Sequence, residues 1–144
     1  MKRTLPLIGV IILILTSLSC RRDTQDPGFI PDVPVSLYVY PNDPLFFDLQ
    51  LIGGWVYIEG GVRGILVYRS DFNEFIAYER ACPSVPLEDC SRIEVQSDNF
   101  TAICPCDSTT YQIIDGLQIS GPGGGLPLKR YQTSFDGNTL YIFN

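Results

Sequence analysis

Four cysteines, Cys82, Cys90, Cys104 and Cys106, fall within 25 residues of one another, and their type and spacing could do chemistry. Thiolates hold zinc or iron–sulfur clusters, and in an oxidising compartment they close into disulfides instead. The tightest group is Cys104-Pro105-Cys106-Asp107-Ser108, in which a single proline separates two sulfurs. Cys-x-Cys is a poorer chelate spacing than Cys-x-x-Cys, so structural disulfides are the leading reading and no metal is assigned. A four-cysteine zinc or iron–sulfur site and a redox-active disulfide are the alternatives. Four cysteines allow three connectivities, and a Cys104–Cys106 bond would close a tight ring across Pro105 and ranks last.

Other groups carry less. The chain has no histidine, which removes Ser/His and Cys/His nucleophile pairs, imidazole acid–base catalysis and imidazole metal sites. Gly121 to Gly125 is glycine-rich but lacks the Gly-Lys-Ser/Thr ending of a phosphate loop and precedes no helix, so it reads as a structural loop. Glu88-Asp89 reads as solvated charge rather than an acid–base pair. Asp107 reads as a turn cap rather than a cation ligand. Tyr38, Tyr40, Trp55, Tyr57, Tyr68, Phe72, Phe75 and Tyr78 read as core and cross-strand packing. No residue is assigned a catalytic role, and the chain is read as a non-enzyme.

The leader explains why sulfur should meet an oxidising environment. Met1-Lys2-Arg3 is a short basic start, and Leu5 to Leu18 is an apolar run too short and too early for a comfortable membrane span. Residues 1–19 therefore read as a signal peptide. The run ends Ser17-Leu18-Ser19-Cys20, which resembles a bacterial lipobox, with a small residue before a cysteine that receives lipid. Leucine stands one place later than in the usual box. Cys20 is the expected lipidation site, and residues 20–34, polar and proline-rich, form the expected tether. An ordinary signal peptide with an incidental cysteine is the alternative. The expected location is the bacterial cell envelope, periplasmic or on the outer-membrane side, with the membrane as a partner through Cys20. Formal charge is −6, and loss of Lys2 and Arg3 would make it more negative still. An acidic body repels phosphate backbones, so no nucleic-acid partner is expected.

The segment that positions the cysteines, residues 35–144, reads as one all-β domain of nine or ten short strands. Candidate strands are 35–39, 55–58, 65–69, 74–80, 92–95, 100–103, 111–114, 117–119, 130–135 and 139–143, with 48–51 leading into a Gly53-Gly54 turn. Gly60-Gly61, Ser97-Asp98-Asn99, Asp115-Gly116 and Asp136-Gly137-Asn138 supply turns. No stretch after residue 20 keeps a helical period over three turns. One strand delivers the chain to Cys82 and another to Cys104.

The order of these pieces over residues 35–144 resembles the Rieske domain. Its second cluster loop reads Cys-Pro-Cys-His-Gly-Ser in the respiratory type, followed by an aromatic residue, a glycine and a Gly-Pro…Pro-Leu loop. Here Cys104-Pro105-Cys106 begins that loop, and Tyr111, Gly116, Gly121-Pro122, Pro127-Leu128, Tyr131 and Asp136-Gly137 follow in register. Cys82 stands where the first loop, Cys-x-His, should start. The resemblance implies a Rieske-like antiparallel β sandwich or barrel with two cysteine-bearing loops. A Rieske 2Fe-2S cluster takes two cysteines on one iron and two histidines on the other. Cys82 and Cys104 stand at the cysteine places, whereas Ser84 and Asp107 stand at the histidine places. Cys82, Ser84, Cys104 and Asp107 are therefore degenerate cluster positions, and no cofactor is expected. The resemblance further implies that Cys82 and Cys104 close on each other, and that Cys90–Cys106 takes the part of the loop-to-loop disulfide of respiratory Rieske domains. The step from Cys82 to Cys90 is longer than the family's usual spacing.

The expectation is an exported, lipid-anchored Rieske-like domain without an intact cluster site, in a structural or protein-interaction role with an exported partner. The alternatives are electron transfer through a 2Fe-2S cluster with atypical ligands, and a thiol–disulfide redox module.

Overall fold

A computed structural model of the chain describes residues 30–144. The expected signal peptide, the Cys20 lipidation site and the tether up to residue 29 lie outside the described residues.

Ten strands and one 3-10 helix follow in order. They are β1 (Ser36–Val39), the helix (Pro44–Gln50), β2 (Trp55–Ile58), β3 (Ile65–Asp71), β4 (Glu74–Glu79), β5 (Glu94–Val95), β6 (Thr101–Ile103), β7 (Thr110–Gln112), β8 (Gln118–Ser120), β9 (Arg130–Phe135) and β10 (Leu140–Phe143). Six of the strands form an antiparallel sheet in the order β1-β10-β9-β4-β3-β2, and four form a second sheet, β5-β6-β7-β8. The fold is all-β, as the turn spacing predicts. β4 and β9 are neighbours, with Ala77 opposite Tyr131 and Tyr78 opposite Arg130. The small sheet is thus an insert between two adjacent strands of the large one, and all four cysteines of the quartet lie in it.

The β3–β4 hairpin separates two cores. Ile65, Val67, Phe75 and Ala77 face one side, packed with Val39, Leu49, Leu140 and Ile142 inside the curl of the large sheet. Leu66, Tyr68, Ile76 and Tyr78 face the other side, packed with Ile93, Ala102, Tyr111, Ile113 and both Cys82 and Cys104. Alternate side chains point to opposite faces of a strand, so strands buried on both faces read as continuous apolar runs, as Ile65-Leu66-Val67-Tyr68 does. Fully burying each Leu, Ile or Val contributes about 1.5–3 kcal/mol, so the cysteine-bearing insert is held by its own core against this hairpin.

Polar bonds fix the insert's angle. The Ile93 amide donates to the Arg80 carbonyl at 2.7 Å, and the Arg80 guanidinium donates to the Ile93 carbonyl while lying 3.5 Å from the centre of the Tyr57 ring. Tyr57 accepts from the Val95 amide at 2.7 Å, and Trp55 Nε1 donates to Asn99 Oδ1 at 3.0 Å.

Two local features differ from the sequence reading. Residues 48–51 are not part of a strand. Asp43 accepts from the Leu45 amide, Pro44 occupies the first helical position, and the chain turns helically to bury Leu49. The aromatic side chains also divide. Tyr68, Phe75 and Tyr78 are buried, and Tyr38 stacks across strands on Tyr141, but Tyr40 and Phe72 stand on the surface. Phe72 sits at the tip of the β3–β4 turn, where no second layer covers it. Within the expected tether, Ile30 is buried against the body, and Lys129 Nζ binds the Pro31 carbonyl at 3.2 Å and Asp32 at 2.7 Å.

Candidate functional site

β4 ends at Glu79 and leads the chain through Arg80 and Ala81 to Cys82; β6 ends at Ile103 and leads straight to Cys104. Two loops thus leave the insert side by side. Cys82 is bonded to Cys104 with Cα atoms 5.8 Å apart, and Cys90 to Cys106 with Cα atoms 5.2 Å apart. The first bond is fully buried in the insert's core; the second runs from exposed Cys90 to half-buried Cys106. The sulfurs of Cys82, Cys104 and Cys106 all lie within 4.8 Å of one another.

Backbone bonds hold each loop. In the first, the Cys82 amide donates to the buried Ser91 hydroxyl at 2.8 Å, and the Val85 amide to the Cys82 carbonyl at 3.2 Å. In the second, Cys104 donates to the Thr109 carbonyl at 2.8 Å and accepts from the Ser108 amide at 2.9 Å. That ring places Ser108 at φ +62°, a left-handed conformation that non-glycine residues adopt at a cost. The glycine-rich loop packs behind. A Cβ on Gly121 would stand 2.5 Å from the Thr109 Cα, and Gly121 has φ +92°, so only glycine fits. Gln118 Oε1 accepts from the Gly125 amide at 2.7 Å and its Nε2 donates to the Gly121 carbonyl at 2.6 Å. This loop supports the second cysteine loop, and a strand, β9, follows it rather than a helix.

Ser84 and Asp107 meet across the two loops. The Ser84 hydroxyl donates to Asp107 Oδ2 at 2.7 Å, while Asp107 Oδ1 accepts from the Thr109 amide at 2.9 Å. Burial alone would raise the Asp107 carboxyl; the bonds from Ser84 and Thr109 outweigh it and hold the group below the usual carboxylate range. Asp107 is the expected turn cap, and it is also a cross-loop tie. Below it, Tyr111 is buried, and burial first, then the Asp107 charge, push its hydroxyl up to about 12.

These residues do not fit the 2Fe-2S centre that the motif order implies. One iron of such a centre needs two thiolates, and here both sulfurs are consumed in one covalent bond. The other needs two neutral nitrogen donors, and the two side chains at those places are a hydroxyl and a carboxylate bonded to each other.

Glu88 and Asp89 stand exposed on the first loop, as solvated charge does. One residue outside the sequence reading organises the frame. Glu79 is completely buried, and its two oxygens accept four bonds: from the amides of Val62, Arg63 and Ala81 at 2.7, 2.8 and 3.0 Å, and from the Tyr131 hydroxyl at 2.7 Å. It ties the Gly60–Gly64 turn, the entry to Cys82 and β9 together. Its position at the end of an apolar strand, with Gly60-Gly61 before and Tyr131 after, gave no local signal.

No family model matches the sequence, and neither does any curated protein. Among solved structures, the chain is similar to the ferredoxin of carbazole 1,9a-dioxygenase from Nocardioides aromaticivorans IC177. The identity is 16%, the match covers 77% of this chain and 97% of that one, and the TM-score is 0.47. What the chain's own geometry defines is an all-β domain whose inserted small sheet carries two loops joined by two disulfides.

Proposed function

We propose that this protein is an exported, lipid-anchored Rieske-like domain without a cluster, serving as a structural or protein-interaction module and not as an enzyme. The observation that carries the reading is the Ser84–Asp107 hydrogen bond. The residues at the two places that the Rieske resemblance gives to imidazoles satisfy each other, and the two disulfides pin the loops that a cluster would otherwise pin. The basic-apolar leader ending at Cys20 supports the anchor and the compartment, and the even cysteine count after Cys20 agrees with an oxidising environment. Loops held by covalent bonds form a rigid surface, which suits recognition of another exported protein.

The test is to express the full chain with its own leader, purify it anaerobically, and measure iron, acid-labile sulfide and the visible spectrum. A colourless protein with less than about 0.1 iron per chain is expected, since the centre would hold two irons when full. Stoichiometric iron and sulfide would refute the reading. Metabolic labelling with a radioactive fatty acid tests the anchor. Label and membrane partitioning are expected for the wild type and absent in Cys20→Ala; labelling that survives this change would remove Cys20 from its role.

A further inference from the structure

Two bridges lie side by side here, but they differ in access. Cys90 is exposed in the surface run Leu87-Glu88-Asp89-Cys90, and Cys106 is half-buried; Cys82 and Cys104 are completely buried. Cys106 belongs to the outer bond, yet its sulfur is within 4.8 Å of both sulfurs of the inner one. Disulfides exchange by attack of a thiolate on a disulfide sulfur, and access decides which bond reacts first. A reductant in solution has no path to Cys82 or Cys104 in the folded protein, whereas it meets Cys90 directly.

We propose that the two disulfides form a relay in which Cys90 is the point of entry and Cys106 passes exchange to the buried pair. The partner is a dithiol reductant, small-molecule or protein. Its thiolate attacks the Cys90 sulfur, the Cys90–Cys106 bond breaks, and Cys106 leaves as a thiolate. The partner's second thiol then attacks its own sulfur in the mixed disulfide, releasing Cys90 and closing the partner's disulfide. Two electrons and two protons have moved to the outer pair. The Cys106 thiolate next attacks the Cys82 sulfur, forms Cys82–Cys106 and releases Cys104, which takes a proton. This second step moves no net electrons. A second equivalent of dithiol reduces the new bond and leaves four thiols. Attack on Cys82 rather than Cys104 follows from chain length, since Cys104 and Cys106 are separated only by Pro105. The buried bond is therefore protected from solvent but responsive to the state of its neighbour, a reactivity that a purely structural bridge lacks.

The test compares full-length Cys90→Ser with Cys90→Ser/Cys106→Ser, with Cys20 unchanged in both. Both variants lack the outer bridge, so they share any loss of stability and differ in the Cys106 thiol. Each oxidised protein is treated with dithiothreitol without denaturant, quenched by alkylation at intervals, and mapped by peptide mass spectrometry. The Cys82–Cys104 bond should open at least tenfold faster in the single variant, and a Cys82–Cys106 peptide should be trapped there. Equal rates in the two variants would overturn the relay. In the wild type, Cys90 should be alkylated no later than any other cysteine of the quartet, and a Cys82–Cys106 peptide with Cys90 and Cys104 alkylated should be trapped at intermediate times; alkylation of Cys82 and Cys104 before Cys90 would overturn the relay as well. If neither variant folds, the wild type still decides: the Cys82–Cys106 peptide is expected, and its absence at every interval while the buried bond opens would overturn the relay.

Discussion

The Ser84 hydroxyl donates to the Asp107 carboxylate at 2.7 Å, joining two cysteine loops across 23 residues of chain. Ser84→Ala should lower stability by about 1.5 kcal/mol, the low end for a bond to a charged group, because the pair is half-exposed. The fold holds the Asp107 carboxyl below its ordinary range despite burial, which acts the other way. A carboxyl depressed in the folded state contributes stability above its unfolded value, about 3.9, and that contribution is lost as pH falls through the lower folded value. Asp98 and Asp136 are depressed too, chiefly by backbone amides of their own turns, so the wild type should lose stability below about pH 4 for several reasons. Asp107→Asn should remove its own share. Urea unfolding midpoints from neutral pH down to about pH 2 should fall less steeply for that variant; identical slopes would show that Asp107 is not held this way.

The same pair offers a constructive test of the frame. Ser84 and Asp107 are only half-buried, and they stand where the Rieske resemblance puts two imidazoles. Ser84→His/Asp107→His, reduced and reconstituted anaerobically with iron and sulfide, should bind about two irons per chain, whereas the wild type and either single variant should not. An iron-free double variant whose circular dichroism matches the wild type would mean that these loops do not hold the geometry the motif order implies.

Glu79 should be the most sensitive position outside the disulfides. Glu79→Ala leaves three amides and a tyrosine hydroxyl unpaired in a dry site, which costs about 1–3 kcal/mol for each group that finds no new partner. A loss of about 4 kcal/mol or more is expected, against a typical domain stability of about 5–15 kcal/mol. Gly61→Ala should fail at the same place, because Gly61 has φ +60° and its Cβ would collide with Glu79 Oε2. Thermal unfolding of the two variants provides the measurement. A drop below about 1 kcal/mol for Glu79→Ala would show that the turn finds other acceptors.

Glu79 also marks where sequence reasoning stops. Strands over 55–58, 65–69, 74–79, 130–135 and 140–143 are legible because β-branched and aromatic runs sit between turns rich in glycine, aspartate and asparagine, although β3 runs on to Asp71 through residues that read as turn. The pairing of Cys82 with Cys104 and of Cys90 with Cys106 was legible only through the motif order, because spacing alone leaves three connectivities. The Ser84–Asp107 bond is not legible in the sequence, although both residues fall at places the motif order marks. A hydroxyl and a carboxylate 23 positions apart carry no signal of contact until two strands bring their loops together. The 3-10 helix over Pro44–Gln50 is not legible because seven residues are too few for a helical period to show. Glu79 lies inside the strand expected over 74–80 with nothing local to mark its burial, and its partners, the Gly60–Gly64 turn and Tyr131, reach it only in the folded sheet.

The two disulfides should not be equal. Their loops span 22 and 16 residues, so chain entropy alone stabilises each by about 3 kcal/mol and separates them by only about 0.3 kcal/mol. Burial breaks the tie. Cys82→Ala/Cys104→Ala also removes two sulfurs from the centre of the insert's core, leaving a cavity, whereas Cys90→Ala/Cys106→Ala disturbs a surface loop. The inner double variant should lose at least about 1 kcal/mol more than the outer one. Equal urea midpoints would mean that the inner bridge acts through the unfolded chain alone.

Three buried tyrosines should resist alkali for different reasons. Burial pushes the hydroxyls of Tyr78 and Tyr111 up to about 12, and burial with a bond to the Glu79 carboxylate raises Tyr131 as well. A group raised in the folded state contributes stability that is complete below its unfolded value, about 10, and is lost as pH climbs through the folded one. Tyr78, Tyr111 and Tyr131 should stay un-ionised above pH 10 until the protein unfolds, a delay that absorbance of tyrosinate reads directly. Phenylalanine substitutions separate them. Tyr78 and Tyr111 hydroxyls find no protein partner among the described residues, so Tyr78→Phe and Tyr111→Phe should leave stability at neutral pH within about 1 kcal/mol and reduce the alkaline loss. Tyr131 donates to Glu79 at 2.7 Å, so Tyr131→Phe should cost about 1.5–3 kcal/mol at neutral pH. Equal costs for Tyr111→Phe and Tyr131→Phe would show that the Tyr131–Glu79 bond carries no special weight. A larger cost for Tyr111→Phe would place an unseen partner on its hydroxyl, beside the two cysteine loops.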